Sequence, residues 1–299
     1  MQKHISVVIP TIEEESVFGL IRSIRRMFGN GVEIIVVDKS SEAYRKRLER
    51  AGVIVIRQRS RGVENAIVEG LRAAHGDILA SIDADGTHDP EGLKEGVRII
   101  EKGDVGLVLG NRLAGLERGS MSFYLRFGNK SLSYIFSKLY RTRVHDVLTG
   151  LFVMRRDAFD EIRKVDPYRA GIAFFAIELA RRGWAIDEVG IRYYKRAYGK
   201  SKLTSSKFAY GINVGAHLIR QIRDYSPLMV FGGIGSAMAV IGVVLGLFVV
   251  FNFANTGVLS EPGRALLSIM LIIAGIFLVV SGLILDLLIG IERMLQKRD

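Results

Sequence analysis

The sequence contains no cysteine, which excludes disulfide bonds, cysteine-ligated zinc and catalysis by a thiol. It also lacks internal repeats and low-complexity segments. Charge is scarce after Tyr225, where four basic and four acidic residues cancel. The net charge of +11 therefore belongs to residues 1–225, and a basic domain of this kind favours partners that carry phosphates, such as nucleic acids, anionic lipids or nucleotides.

Two uncharged apolar runs occupy the C-terminal part of the chain, Leu228–Phe251 and Ala265–Leu285. Either run is long enough to cross a hydrocarbon core of about 30 Å as a helix. The segment between them contains Asn255, Gly257 and Pro262, which predicts a hairpin of two membrane helices. Buried core helices of a soluble protein are the alternative, but such helices are rarely this long and this uniformly apolar.

The segment before the first apolar run, Lys207–Tyr225, has apolar residues near one face and bases elsewhere, which predicts an amphipathic helix in the membrane interface. A surface helix packed on the domain is the alternative. Both ends of the hairpin are basic, so the positive-inside rule places them, and the domain before them, on the cytoplasmic side. We expect Ile5–Pro10 to be a first strand rather than part of a signal peptide. The predicted divisions are a domain over 1–206, an interfacial helix over 207–227 and a hairpin over 228–299, with spans at about 228–251 and 265–290.

Short apolar runs alternate with amphipathic segments through the first 110 residues. Continuous apolar strands separated by helices predict an α/β fold with a mostly parallel sheet covered on both faces. The later part, 111–200, is less regular, and we predict helices and one strand there. The predicted strands are Ile5–Ile9, Glu33–Val37, Val53–Ile56, Ile78–Ile82, Val105–Leu109 and Ile186–Tyr193; the helices are Glu14–Phe28, Glu42–Ala51, Val63–Ala74, Glu91–Glu101, Ser120–Leu139, Asp157–Arg163 and Ala173–Arg182.

A pair of carboxylates follows the fourth predicted strand directly, as Asp83-Ala84-Asp85. Parallel sheets bind ligands at the carboxyl ends of their strands, and Mg²⁺ typically takes one or two protein carboxylates together with substrate phosphates. We therefore interpret Asp83 and Asp85 as ligands of Mg²⁺ or Mn²⁺, with a solvated turn as the alternative. His88 follows the pair, and we interpret it as a surface-loop histidine, with an approach to the metal as the alternative.

Several motifs, in order along residues 5–202, resemble glycosyltransferase family 2 and, within it, the dolichyl-phosphate mannose synthases and related polyprenyl-phosphate glycosyltransferases. The resemblance covers about two-thirds of the chain. The Arg196-x-x-Gly-x-Ser-Lys-Leu203 element is the most specific motif, because it is typical of enzymes that act on lipid phosphates. The motifs are Val7–Glu14, Ile35–Asp38, Arg61–Ala66, Asp83–Asp85, Gly110–Arg112, Asp146–Gly150 and Arg196–Leu203.

This resemblance implies a GT-A, Rossmann-like fold and an inverting transfer of a hexose from a nucleotide sugar to dolichyl or polyprenyl phosphate. It implies catalytic roles for Asp83, Asp85, Asp146 and Arg112, although capping of the turn before Thr149 is an equal alternative for Asp146. The residues implied to contact the nucleotide sugar are Pro10, Thr11, Glu14, Asp38, Arg61, Asp83, Ala84, Asp85 and Arg112, and those implied to bind the acceptor phosphate are Arg126, Arg196, Ser201 and Lys202.

The sequence departs from the family pattern near the donor site. Lys39 follows Asp38 where a second acid is usual, and Glu13 replaces the usual Asn. Gly86-Thr87 replaces the common Leu-Gln or Leu-Ser, so Thr87 would assist the metal only weakly or through water. These changes affect the residues that would recognise the nucleotide base and those that would ligate the metal.

The resemblance leaves the donor open between GDP-mannose, which we expect first, and UDP-glucose. Other classes also remain: a non-catalytic nucleotide-binding membrane scaffold, which the intact motifs oppose, and a processive polysaccharide synthase, for which two membrane helices are too few. We expect no nucleic-acid partner, since a membrane hairpin is unusual in such a protein. The sequence leaves homo-oligomerisation open.

Overall fold

The computed structural model describes residues 4–162, 172–196, 227–258 and 262–296. The chain forms two compact units, Met1–Ser205 and Ser206–Asp299. Of the three predicted divisions, the interfacial helix at 207–227 lies outside the described residues except for Pro227. That helix and the exact domain boundaries therefore stay predictions.

The first unit contains a seven-stranded sheet built from short, buried, β-branched runs, which fit a pleated surface covered on both faces. The spatial order of the strands is β3-β2-β1-β4-β6-β5-β7. Only β6 runs antiparallel to its neighbours, β4 and β5. The strands are β1 (Ile5–Thr11), β2 (Glu33–Asp38), β3 (Ile54–Arg57), β4 (Ile78–Ser81), β5 (Val105–Leu116), β6 (Phe152–Arg155) and β7 (Ala185–Tyr193).

Helices cover this sheet through apolar faces that repeat every three or four residues. The first helix, for example, buries Val17, Leu20, Ile21 and Ile24. The mixed, mostly parallel sheet with flanking helices confirms the predicted fold class. The helices are α1 (Ser16–Phe28), α2 (Glu42–Arg50), α3 (Val63–Ala73), α4 (Glu91–Lys102), α5 (Phe123–Tyr140), α6 (Arg156–Ile162) and α7 (Ile172–Arg181).

Two features of the sheet were not predicted from the sequence. Strand β6 has only four residues, Phe152–Arg155, and sits between a loop and a helix, so it offers too little periodicity to be recognised. Strand β5 continues past Leu109 to Leu116, with a register irregularity between Asn111 and Gly115. A bulge of this kind changes the direction of nearby side chains, and bulges are common next to active sites.

The second unit contains two long helices, α8 (Pro227–Thr256) and α9 (Pro262–Gln296). Both are long and apolar enough to cross a membrane, with mean hydropathies of 2.6 and 2.8 over their most apolar windows. They pack closely: a Cβ on Gly275 would lie 2.5 Å from the carbonyl oxygen of Gly235. The hydroxyl of Ser268 donates to the carbonyl of Gly242 at 2.8 Å. Small residues therefore let the two backbones approach, as in membrane helix pairs.

Candidate active site

The predicted donor-site residues gather where the parallel strands end. Thr11, at the end of β1, lies in register with Asp38, at the end of β2. Beside them, β4 leads into Asp83, and the N–H of Ile82 donates to the carbonyl of Val8 at 3.2 Å. One edge of the sheet therefore carries the polar residues of three motifs, as expected for the carboxyl ends of parallel strands.

The turn after β4 is held by hydrogen bonds that orient the second carboxylate. The N–H and the hydroxyl of Thr87 donate to Oδ1 of Asp85 at 3.1 and 2.7 Å. The hydroxyl of Ser16 donates to the carbonyl of Ala84 at 2.6 Å. In this arrangement Thr87 orients Asp85; its expected contribution to a metal site stays a prediction.

The Asp83 carboxylate occupies a space that only glycine leaves open. A Cβ on Gly150 would lie 2.1 Å from Oδ2 of Asp83. The Asp83 side chain is about one-third exposed, and the burial of its remainder, together with the negative charge of Asp85, raises its pKa to about 7. Two carboxylates that repel each other in this way would be stabilised by a cation between them.

The two carboxylates fit a hard divalent cation that takes few of its ligands from the protein. Within the described part of the chain, no group of three or more His, Cys, Asp or Glu side chains is arranged to hold a metal. Asp83 and Asp85 would thus supply two carboxylates and leave the remaining positions to substrate phosphates and water. That division of ligands is the one Mg²⁺ usually adopts.

Arg112, at the bulge of β5, is clamped by Asp146. Its Nε and Nη2 donate to the two carboxylate oxygens at 2.8 Å each, and its own backbone N–H donates to Oδ2 at 2.9 Å. Nη2 also donates to the carbonyl of Leu148 at 2.7 Å. Although burial opposes it, hydrogen bonding to Asp146 raises the pKa of Arg112. The guanidinium is therefore a fixed positive charge that acts on Asp83.

Helix α5 contributes a further hydrogen bond to Asp146, from Asn129, a residue that we did not predict. Nδ2 of Asn129 donates to Oδ1 of Asp146 at 2.6 Å, and the hydroxyl of Ser133 accepts from the N–H of Val147 at 3.0 Å. Burial favours protonation of Asp146, but the hydrogen bonds from Arg112 and Asn129 and the positive charge of Arg112 lower its pKa overall. The recurrence of polar residues at i and i+4 on the inner face of α5 was the signal available in the sequence.

His88 is buried, so its interpretation as a surface-loop histidine was wrong. Only 3% of the residue is exposed, because its backbone bridges to Tyr193 of β7 and its ring packs edge-on against the Tyr193 ring at 5.1 Å. Its Nδ1 lies 3.1 Å from the Thr87 hydroxyl and 3.8 Å from Oδ2 of Asp83. Burial and the positive charge of Arg112 lower the pKa of His88, so the ring is neutral. A motif scan centred on Asp-x-Asp does not reveal this, because the burial comes from β7.

The structure joins two residues that we had assigned to different substrates. Arg196, expected at the acceptor phosphate, forms an ion pair with the carboxylate of Glu14, expected at the nucleotide. Both side chains are mostly buried. The carbonyl of Glu14 also accepts a hydrogen bond from the hydroxyl of Tyr44 at 2.6 Å. The positive charge of Arg196 also acts on Asp83 and lowers its pKa against the larger effect of burial, so Arg196 lies within electrostatic reach of the two aspartates' turn.

The remaining predicted residues are distributed around this centre. Pro10 and Thr11 are buried at the end of β1, and Asp38 is buried with its carboxylate accepting from the N–H of Ser40 at 3.1 Å. Arg61 is exposed in the loop before α3, and Arg126 is exposed on α5. Ser201 and Lys202 lie outside the described residues.

Comparisons with known proteins define the class. The model of glycosyl transferase family 2 matches residues 6–163, more than half of the chain, so the protein belongs to this family of glycosyltransferases. The family resemblance of the sequence motifs is thereby confirmed. Glycosyltransferase AglJ of Haloferax volcanii is 24% identical over 295 residues, covering 98% of this chain and 96% of the relative. The undecaprenyl-phosphate 4-deoxy-4-formamido-L-arabinose transferase of Proteus mirabilis is 28% identical over 294 residues, covering 94% and 86%.

Solved structures show the same fold. Glucosyl-3-phosphoglycerate synthase of Mycobacterium tuberculosis, in complex with phosphoglyceric acid, aligns with a TM-score of 0.54 at 21% identity. The alignment covers 73% of this chain and 79% of the synthase. A second structure of that synthase, with Mn²⁺, uridine diphosphate and phosphoglyceric acid, aligns with a TM-score of 0.50 at 20% identity, covering 73% and 78%.

Proposed function

We propose that this glycosyltransferase moves a hexose from a nucleotide sugar to a polyprenyl or dolichyl phosphate, with inversion at the anomeric carbon, and that the donor is GDP-mannose. The observation that carries the proposal is that Asp83 lies within electrostatic reach of a second carboxylate, Asp85, and of two guanidinium groups, Arg112 and Arg196. Carboxylates suit a metal-bound diphosphate, and guanidinium groups suit phosphate oxygens. A reaction between two phosphate-bearing substrates requires both kinds of group.

The lipid acceptor is supported by two independent features. One is the similarity over nearly the whole chain to a relative named for undecaprenyl phosphate. The other is the pair of apolar helices, α8 and α9, which would hold the chain at the bilayer where such lipids reside. The basic ends of the hairpin favour a cytoplasmic catalytic domain.

The chemistry follows from the ionisation of the acceptor. A phosphate monoester has a second pKa of about 6, so its oxygen is already a nucleophile at neutral pH. The chain then needs to place that oxygen in line with the anomeric carbon and to balance charge as the nucleoside diphosphate departs. A divalent cation held by Asp83 and Asp85 would neutralise the leaving diphosphate.

The protein's own residues have positioning roles in this scheme. Arg112, fixed by Asp146, presents a permanent positive charge to phosphate oxygens. Because the oxygens of Asp146 already accept hydrogen bonds from Arg112 and Asn129, we assign Asp146 to holding Arg112 rather than to removing a proton. Glu14 would hold the Arg196 guanidinium in the position where it meets the acceptor phosphate.

The direct test is turnover with a panel of donors. The purified full-length chain is incubated with polyprenyl phosphate, Mg²⁺ and labelled GDP-mannose or UDP-glucose, and the lipid product is identified by mass spectrometry. We expect GDP-mannose to give polyprenyl-phosphate mannose. We expect this product to be lost when EDTA is added and in the Asp83→Ala and Asp85→Ala variants. If only UDP-glucose gave a product, the donor would be UDP-glucose and not GDP-mannose. No lipid product from any donor, with nucleotide binding retained, would favour a non-catalytic scaffold.

A further inference from the structure

Glu188, in the middle of β7, bonds to the residues that precede Arg112 and Asp146. Its side chain is mostly buried, with 15% exposed. Oε1 accepts from Nδ2 of Asn111 at 3.0 Å and lies 2.6 Å from Nδ1 of His145, and Oε2 accepts from the N–H of His145 at 2.7 Å. Because an ionised carboxylate only accepts hydrogen bonds, Nδ1 of His145 carries a proton. One carboxylate of β7 therefore joins β5 to the loop before β6.

Both partners of this carboxylate are direct neighbours of the buried ion pair. Asn111 precedes Arg112 on β5, and His145 precedes Asp146. Oδ1 of Asn111 also accepts from the N–H of Leu113 at 2.9 Å, inside the register irregularity that contains Arg112. The amide of Asn111 thus holds the bulge with its oxygen and ties the bulge to β7 with its nitrogen.

Strand β7 reaches Arg112 a second time and then leads to the other guanidinium of the site. The centroid of the Tyr193 ring, at the end of β7, lies 5.5 Å from Cζ of Arg112. Such a contact attracts a cation to the face of the ring. Arg196 follows three residues later and pairs with Glu14. One strand therefore connects the two arginines that we assign to phosphate groups.

The chemistry of the network around Glu188 indicates positioning more than stability. Burying a carboxylate costs free energy that its hydrogen bonds only offset, and replacing such a network by apolar residues is often neutral or stabilising. A bonded polar network instead specifies one geometry, because each donor and acceptor has a defined direction. That geometry matters here, since a displacement of about 1 Å can lower a rate by about a hundredfold.

The chain contains a second pair with the same arrangement, away from the site. The N–H of His75 donates to Oε2 of Glu33 at 2.8 Å, and Nδ1 of His75 lies 2.8 Å from Oε1. The Glu33 side chain is 10% exposed. Glu33 begins β2, whereas the candidate site lies where the parallel strands end. This pair therefore matches the chemistry of Glu188 and His145 without bonding to the neighbours of Arg112.

We propose that Glu188 is a positioning residue of this glycosyltransferase. Through Asn111 and His145 it holds Arg112 in the orientation in which the guanidinium meets a substrate phosphate. Glu188 itself contacts no substrate. The orientation of Arg112 can be measured without turnover, so only the consequence for transfer rests on the proposed function.

Nuclear magnetic resonance tests the orientation of Arg112. The full-length chain is prepared in detergent with isotope-labelled arginine, and the Nε–H resonance of Arg112 is assigned by its loss in Arg112→Met. We expect this resonance to shift in Glu188→Gln and in His145→Ala, whose replaced ring is exposed and whose fold should persist. Glu33→Gln, the matched control, should leave it in place. An unchanged resonance in both test variants, or an equal shift in Glu33→Gln, would overturn the proposal.

Transfer is measured on the same variants together with thermal unfolding. Glu188→Gln should lower kcat by about tenfold or more, and so should Asn111→Asp, which places two carboxylates against each other. The double variant exchanges donor and acceptor, so the bond between positions 111 and 188 can form again and should recover most of the lost kcat. Glu33→Gln should keep the wild-type kcat. No recovery in the double variant would contradict positioning through this bond.

A background without Arg112 separates positioning from general stability. Adding Glu188→Gln to Arg112→Met should cause no further loss of transfer, because the group that Glu188 positions is gone. An equal fold-loss in both backgrounds is the result expected of independent damage, and it would overturn the proposal. If the wild type transferred no sugar, the proposed function would fail, and the resonance of Arg112 would still decide the role of Glu188.

Discussion

Gly150 and Asp83 lie so close that a single added Cβ at residue 150 would sit 2.1 Å from the Asp83 carboxylate. The Asp146–Gly150 and Asp83–Asp85 motifs are 61 or more residues apart in the sequence and meet here. The glycine of one motif thus leaves the space that the Asp83 carboxylate of the other motif occupies, and the proposed metal site depends on it.

We therefore expect Gly150→Ala to push the Asp83 carboxylate out of place. Transfer should fall at least about a hundredfold, since small displacements of positioning groups have effects of that size. Mn²⁺ binding, measured by electron paramagnetic resonance, should weaken in parallel. Gly31→Ala is the matched control, because its Cβ would meet nothing within 4 Å, and it should leave both quantities unchanged. Normal Mn²⁺ affinity in Gly150→Ala would contradict the assignment.

The buried pair of Arg112 and Asp146 gives a second prediction. Asp146→Leu alone strands a buried guanidinium and should lower the free energy of unfolding by about 3–5 kcal/mol. Adding Arg112→Met should recover much of that stability, because no unpaired charge remains, but should not recover transfer. Both quantities are measured on the single and the double variants: stability by thermal unfolding in detergent, and transfer by turnover. Recovery of activity in the double variant would show that Arg112 has no role in phosphate binding.

The sequence predicted the sheet well where apolar runs were continuous and bounded by helices, as in β1, β2 and β4. It missed β6 because four residues do not establish a period, and it ended β5 early because a bulge interrupts the alternation. The family motifs identified the candidate site residues, but they did not predict which of these residues contact each other. Neither the partnership of Glu14 with Arg196 nor the burial of His88 is encoded locally, since both depend on residues at or beyond the end of β7.

The pKa of Asp83 predicts how metal binding depends on pH. In the absence of metal, partial burial and the negative charge of Asp85 raise this pKa to about 7, so a proton competes with the cation below neutral pH. Affinity for Mn²⁺ in the presence of nucleoside diphosphate should therefore decrease by up to about tenfold for each unit of pH below 7 and level off above it.

Calorimetric titrations between acidic and mildly alkaline pH measure this dependence. The control is Asp83→Asn, which cannot ionise; it should bind Mn²⁺ weakly and with a flatter pH profile. Nucleotide phosphates also titrate with a pKa of about 6, so the difference between wild type and Asp83→Asn is the informative quantity. Identical profiles for the two proteins would contradict a raised pKa at Asp83.

The ion pair between Glu14 and Arg196 leads to the last prediction, which separates specific acceptor binding from general attraction to anionic lipid. If Arg196 only draws the domain to the membrane, it contributes about 1 kcal/mol, and saturating lipid phosphate should restore the rate of Arg196→Ala. If it grips the acceptor phosphate, Arg196→Ala should stay severely impaired at saturating lipid, with calorimetric donor affinity unchanged. Glu14→Gln keeps the arginine and removes the charge that fixes it, so it should mainly raise the apparent KM for the lipid. Arg47→Ala, which breaks the exposed pair of Arg47 with Glu15 on the neighbouring surface, is the control for loss of one positive charge. Equal effects of Arg196→Ala and Arg47→Ala across the full range of lipid concentrations would rule out a specific site at Arg196.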